Sequence, residues 1–227
     1  MALGKVRTDS YDTATGPTGF FAVNKRKELI VIDFFTQLVL EGRVFHMQIG
    51  TEDAPVDSTG QPDDQTYVWG LVDTNPGMVY MPTYIDVWAC TWSATGETLE
   101  AIVEVDRAKN RYSTGGTAYV PENMRTDRPR TSTATAYVGT DITALAKTAV
   151  PGSMEIARIQ YMEDTAGSTN EPVDFVMNIP KLYSVMEKPA VAVADPGSII
   201  LHFGSGTADT PGFGVIEWAE IPSTAAK

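Results

Sequence analysis

The chain has 227 residues and sets 29 Asp and Glu against 17 Lys and Arg, a formal net charge of -12. That length buries a sizeable core without covalent staples, and the single cysteine, Cys90, excludes an intrachain disulfide and any zinc site built from cysteine pairs. A chain this acidic is not a packer of free nucleic acid, which calls for the opposite sign.

Residues 1–27 begin "MALGKVRTDSYDTATGPTGFF". They carry Lys5 and Arg7 but no apolar core of signal-peptide length, and read as an extended arm with no export signal. The longest apolar stretch, "LIVIDFFTQLVL" at 29–40, is broken by Asp33, Thr36 and Gln37 and is too short to span a bilayer, so no membrane partner is expected. Within it "DFFTQLVLEG" combines an Asp cap, an apolar face at Phe34, Phe35, Leu38 and Val39, and a terminal Gly. These suit one short helix near 33–41, with a buried strand as the alternative. The strand "RVFHMQIG" at 43–50 follows.

Beyond residue 50, turn signals arrive about every ten residues between short runs of Val, Ile, Tyr, Trp and Thr, the pattern of an all-β antiparallel sandwich. "TYVWGLVD", "YIDVWACTW" and "TLEAIVEVD" are the next strands. In the last, Leu99, Ala101, Val103 and Val105 alternate with Glu100, Ile102, Glu104 and Asp106, which predicts a half-buried strand with an acidic outer face. The link "SATGE" predicts that it forms a hairpin with the run at 84–92.

The stretch 107–150 is rich in Thr, Ala, Arg and Pro, and reads as a long exposed excursion or a set of edge strands. Its arginines, Arg125, Arg128 and Arg130, form its densest positive charge and are candidate partner contacts, with a solvated turn as the alternative. "SMEIARIQYME", "VDFVMNIP" and "AVAVAD" are further strands. With the arm set apart, residues 28–227 are expected to form one domain.

The closing stretch "SIILHFGSGTADTPGFGVIEW" brings His202, Ser205 and several glycines together. It fails each chemistry it suggests. Glycines flank Ser205 directly, so there is no nucleophile elbow, and the absence of a lysine and a following helix excludes a phosphate loop. The stretch reads as a hairpin whose glycines take positive backbone angles, with Ile199, Leu201 and Phe203 on one face and His202 on the other. Its tip, with Ser205, is a candidate contact with a neighbouring subunit.

His46 and His202 lack a second ligand at metal-site spacing and are expected to be hydrogen-bonded histidines on half-buried faces; convergence across a sheet, as in a cupin, is the alternative. The acidic loop with Glu52, Asp53, Asp57, Asp63 and Asp64 lacks calcium-site spacing and reads as solvated surface. No catalytic, cofactor or metal residue emerges.

In texture, "DFFTQLVLEGRVFHMQIGTEDAP" and "SIILHFGSGTADTPGFGVIEWAEIP" resemble the β-rich capsid decoration, cement and minor coat proteins of tailed bacteriophages. The resemblance implies a jelly-roll-like sandwich that assembles as a homotrimer on a major capsid protein, within a virion, without enzymatic activity or cofactor. It implies no particular contact residue. The residues alone leave a second reading, a carbohydrate-binding sandwich in which Trp88 and Trp92, on one face of a strand, stack on sugar rings.

Overall fold

The computed structural model describes residues 34–58, 60, 62, 65–90, 98–146, 152–162, 177–205 and 210–224. The expected arm, with Lys5 and Arg7, lies outside them, as do Trp92, Asp63 and Asp64.

The one helix among the described residues, α1 (Phe34–Leu40), falls where the cap, apolar face and terminal glycine predict it. Gly42 ends it with φ of +67°, and Gly42 N–H bonds Val39 O while Arg43 N–H bonds Leu38 O, the paired closing bonds of a Schellman turn. Leu38 packs on Val44, Met81 and Ala219, so the helix lies on a sheet.

Strands β1 (Val44–Ile49), β2 (Val68–Asp73), β3 (Met78–Ala89), β4 (Thr98–Asp106), β5 (Tyr112–Thr114), β6 (Thr117–Tyr119), β7 (Glu122–Asn123), β8 (Thr135–Ala144), β9 (Ser153–Met162), β10 (Met177–Ser184), β11 (Val193–Ala194), β12 (Ser198–Ser205) and β13 (Gly212–Pro222) make two antiparallel sheets packed as a sandwich. One sheet runs β10-β3-β13-β1-β7, with β11 also on β3. The other runs β5-β8-β2-β12-β4-β9, with β6 on β8. We call them the helix-bearing sheet and the second sheet.

The pairing is nested: β1 lies against β13, β2 against β12, β3 against β10 and β4 against β9. Two expectations fall with it. The runs around 84–92 and 98–106 belong to β3 and β4, and the closing stretch supplies β12 and β13; each predicted hairpin instead places its strands in opposite sheets. Both connections therefore carry the chain from one sheet to the other.

Between the sheets lies one apolar cluster. Phe45, Met47, Ile85, Ile216 and Trp218 come from one side, and Trp69, Val103, Ile199, Leu201 and Phe203 from the other. Trp69 and Phe203 pack with ring centroids 4.1 Å apart, so large side chains fill the interior. At ~25 cal/mol per Å² of apolar area removed from water, this layer is the main source of stability.

The excursion contains both features expected of it: edge strands within 112–123 and 135–144, and a mostly exposed strandless stretch at 124–134. β5, β6 and β8 extend the second sheet beyond β2, and β7 caps the edge of β1.

Candidate functional site

The arginine segment is held by anchors on either side of it, at Arg111 and Thr133. At its start Arg111 is fully buried: its guanidinium lies 3.4 Å from Asp106 Oδ2 and donates from Nε to Leu145 O at 2.5 Å. Its backbone N–H donates to Asp73 Oδ1 and Ser198 Oγ, at 3.1 and 2.8 Å. Farther on, the buried carboxylate of Glu220 accepts from Thr133 N–H at 3.0 Å and from its hydroxyl at 2.7 Å. Between these anchors residues 114–131 are mostly exposed.

Arg125 pairs bidentately with Asp127, at 2.8 and 3.1 Å, and also donates to Leu40 O at the end of α1. Asp127 holds the Arg125 guanidinium above its usual range, and the arginine in turn lowers the Asp127 carboxyl. Arg130 runs along the Gly42 turn, where its carbonyl accepts from Asn123 Nδ2 at 3.1 Å. Arg128 is exposed. The three arginines thus share one surface beside the turn between α1 and β1. Ser205 does not join them: it is fully buried, with its hydroxyl 2.6 Å from Thr210 Oγ1.

The glycines near Ser205 are also not what the hairpin reading expects. Gly204, Gly212 and Gly214 avoid positive φ. A Cβ on Gly212 would sit 2.5 Å from Trp88 O and 2.7 Å from Trp69 Cη2, so close approach of backbone and core requires glycine there.

On the second sheet the acidic face of β4 is buried instead of solvated. Glu100, Glu104 and Asp106 are each nearly inaccessible, and each meets a cation or an imidazole. Arg158 bonds Glu100 and forks onto Glu155 at 2.9 and 2.6 Å; its guanidinium is held well above its usual range, chiefly by the Glu155 bonds. His202 Nε2 lies 3.8 Å from Glu104 Oε2, while its Nδ1 donates to Thr66 O at 3.3 Å. His202 is on the face opposite Ile199, Leu201 and Phe203, as the alternation predicts, but that face is covered.

One strand over, burial raises the Asp73 carboxyl above its ordinary value, offset by bonds from Ser198 and from the backbone of Arg111 and Tyr112. This polar row was missed by strand-by-strand reading. The available signal was that β9 and β12, which flank β4, carry Arg158 and His202 at facing positions.

On the helix-bearing sheet, half-buried His46 lies 3.4 Å from Glu217 across the β1–β13 ladder. The Glu217 bond raises the imidazole above its ordinary value, burial opposes it, and Glu122 adds to the rise. His46 and His202 therefore stand on different sheets and do not converge as a cupin pocket requires. Among the described residues, no three His, Cys, Asp or Glu side chains are placed to hold a metal ion. Trp88 stacks on Phe213 at 5.1 Å and 12°, both half-buried, whereas Trp218 lies wholly in the core. No helix among the described residues is long and apolar enough to cross a membrane.

No protein-family model and no curated protein sequence matches this chain.

Proposed function

We propose that the chain is a non-enzymatic structural subunit of a virus particle, a decoration or cement protein that binds a major capsid protein as a homotrimer. The observation that carries this reading is the nested pairing of β1 with β13, β2 with β12, β3 with β10 and β4 with β9. We read that order as favouring a jelly-roll-like sandwich, an architecture used by viral coat and lectin domains. The filled space between the sheets favours assembly by surfaces over chemistry in an internal pocket.

Such a subunit adds buried area across the joints between coat proteins and opposes their separation, each specific contact requiring on the order of 1,000 Å². Threefold symmetry multiplies it. The net charge of -12 favours an outer position, away from packaged nucleic acid.

Light scattering on the purified chain, followed by sedimentation with heads of the virus that carries it, tests the reading. A stable trimer that saturates the heads is expected. A monomer that stays in the supernatant would overturn it.

The Trp88–Phe213 stack favours a second reading, because it sets two partly exposed rings near the Tyr84–Asp86 pair on the outer face of the helix-bearing sheet. Saturable binding on a glycan array, abolished by Trp88→Ala, would replace the capsid role with carbohydrate recognition.

A further inference from the structure

Of the five large apolar side chains exposed among the described residues, four lie on or beside α1 and β7, and the fifth, Met186, follows β10. Val120 is 81% exposed, Phe34 55%, Leu40 51% and Met124 42%. Phe34 and Leu40 lie on α1, while Val120 and Met124 flank β7. Hydrogen bonds tie residues 123–125, at the end of β7 and just beyond, to the last residue of α1, the turn after it and the start of β1. Met124 N–H donates to Val44 O at 3.0 Å, Asn123 Nδ2 to Gly42 O at 2.9 Å, and Arg125 to Leu40 O. Val120 continues the strip along the β1 edge, where the adjacent Tyr119 hydroxyl accepts from Gln48 N–H at 3.3 Å.

Arg128 and Arg130, both exposed, lie on the same strip. Exposed methionine and arginine beside aliphatic side chains is the composition of protein interfaces. Arg43, Arg125, Arg128 and Arg130 there outnumber Glu41, Glu122 and Asp127, and in a chain of net charge -12 this local excess of positive charge marks the partner of such a surface as acidic.

The chain itself supplies an acidic surface. At the far end of β1 it turns at Gly50 into 51–57, where Glu52, Asp53 and Asp57 are exposed. The six residues of β1 hold the two charge clusters about 20 Å apart, too far to neutralise each other within one molecule.

We propose that the strip formed by Leu40, Met124, Val120, Arg128 and Arg130 docks on the 51–57 turn of a second copy of this chain, head to tail. Such a contact joins two different surfaces, and repeated around an axis it closes a ring. The inference rests on the homo-oligomer proposed above and names its contact.

Charge reversal tests it by light scattering. The unsubstituted 227-residue chain is expected to form a closed oligomer. The pair R128E and R130E weakens association by roughly a hundredfold or more, because like charges then face each other, and so does the pair E52R and D53R. All four substitutions together restore the oligomer, since the charges are exchanged. All four substituted positions are exposed, and unchanged near-UV circular dichroism verifies the fold of each variant.

A wild-type chain that is monomeric at every concentration overturns the homo-oligomer and this contact with it. An oligomer unaffected by either pair overturns the contact alone. Dissociation by both pairs without rescue shows that the strip and the turn meet other surfaces, and also overturns it. Variants that keep the oligomer but lose binding to heads place the strip against the shell instead.

Discussion

Arg111 shows how much one side chain can organise. It follows β4, folds back over the sheet, and meets Asp106, Leu145, Asp73 and Ser198 from full burial. An ion buried this deeply adds little net stability over an apolar substitute, but removing one partner strands the other charge. Arg111→Met is therefore expected to cost about 3–5 kcal/mol in urea unfolding, and Arg111→Met with Asp106→Leu to recover part of it.

His46 yields a pH prediction with a definite sign. Its folded pKa is raised by Glu217, with Glu122 adding and burial opposing, so the protonated form is favoured in the folded chain. The resulting stability is fully present below the ordinary imidazole value of 6.5 and lost as pH rises through the higher folded value. His46→Gln should reduce stability at low pH and leave it unchanged at high pH; an NMR titration of His46 with a midpoint at or below 6.5 would contradict the account.

At the level of elements, local pattern located the strands and misjudged their partners. The helix at 34–40 and the strands at 44–49, 68–73 and 153–162 fall where capping and alternation place them, because those signals lie within a few residues. Whether a Gly-rich link folds back in the same sheet or crosses to the other depends on strands far away, so "SATGE" and "GSGTADTPG" read as hairpins. Burial of the β4 acids was hidden for the same reason. Their cover comes from Arg111, Arg158 and His202, and alternation within β4 cannot report it.

The candidate surface was legible only in its arginines; Leu40, Met124 and Val120 join them through pairing of β7 with β1. Gly212 carries the crossing's local requirement, since a Cβ there meets Trp88 O and Trp69. Gly212→Ala should cost about 1–3 kcal/mol of overpacking, measured by thermal unfolding, whereas a true hairpin-loop glycine at negative φ would tolerate the change.

For the whole molecule, net charge is a poor map of the surface. Among the described residues Asp73, Asp86, Glu100, Glu104, Asp106 and Glu220, six of the chain's 29 acids, are buried, and Arg111 is buried with them. The exterior is thus less negative than composition implies, and the arginine strip is less of an exception. The nested pairing also has a mechanical consequence. Because β1 and β13 run antiparallel with Val44 opposite Ala219, the start of β1 and the end of β13 leave the sheet side by side. Tension applied between those two points would open the ladder one bond at a time, like a zip, whereas a load entering through the broad faces is shared among all the strands. A domain wired this way holds when it is gripped by its flanks, and gives way when it is hung from the start of β1 and the end of β13.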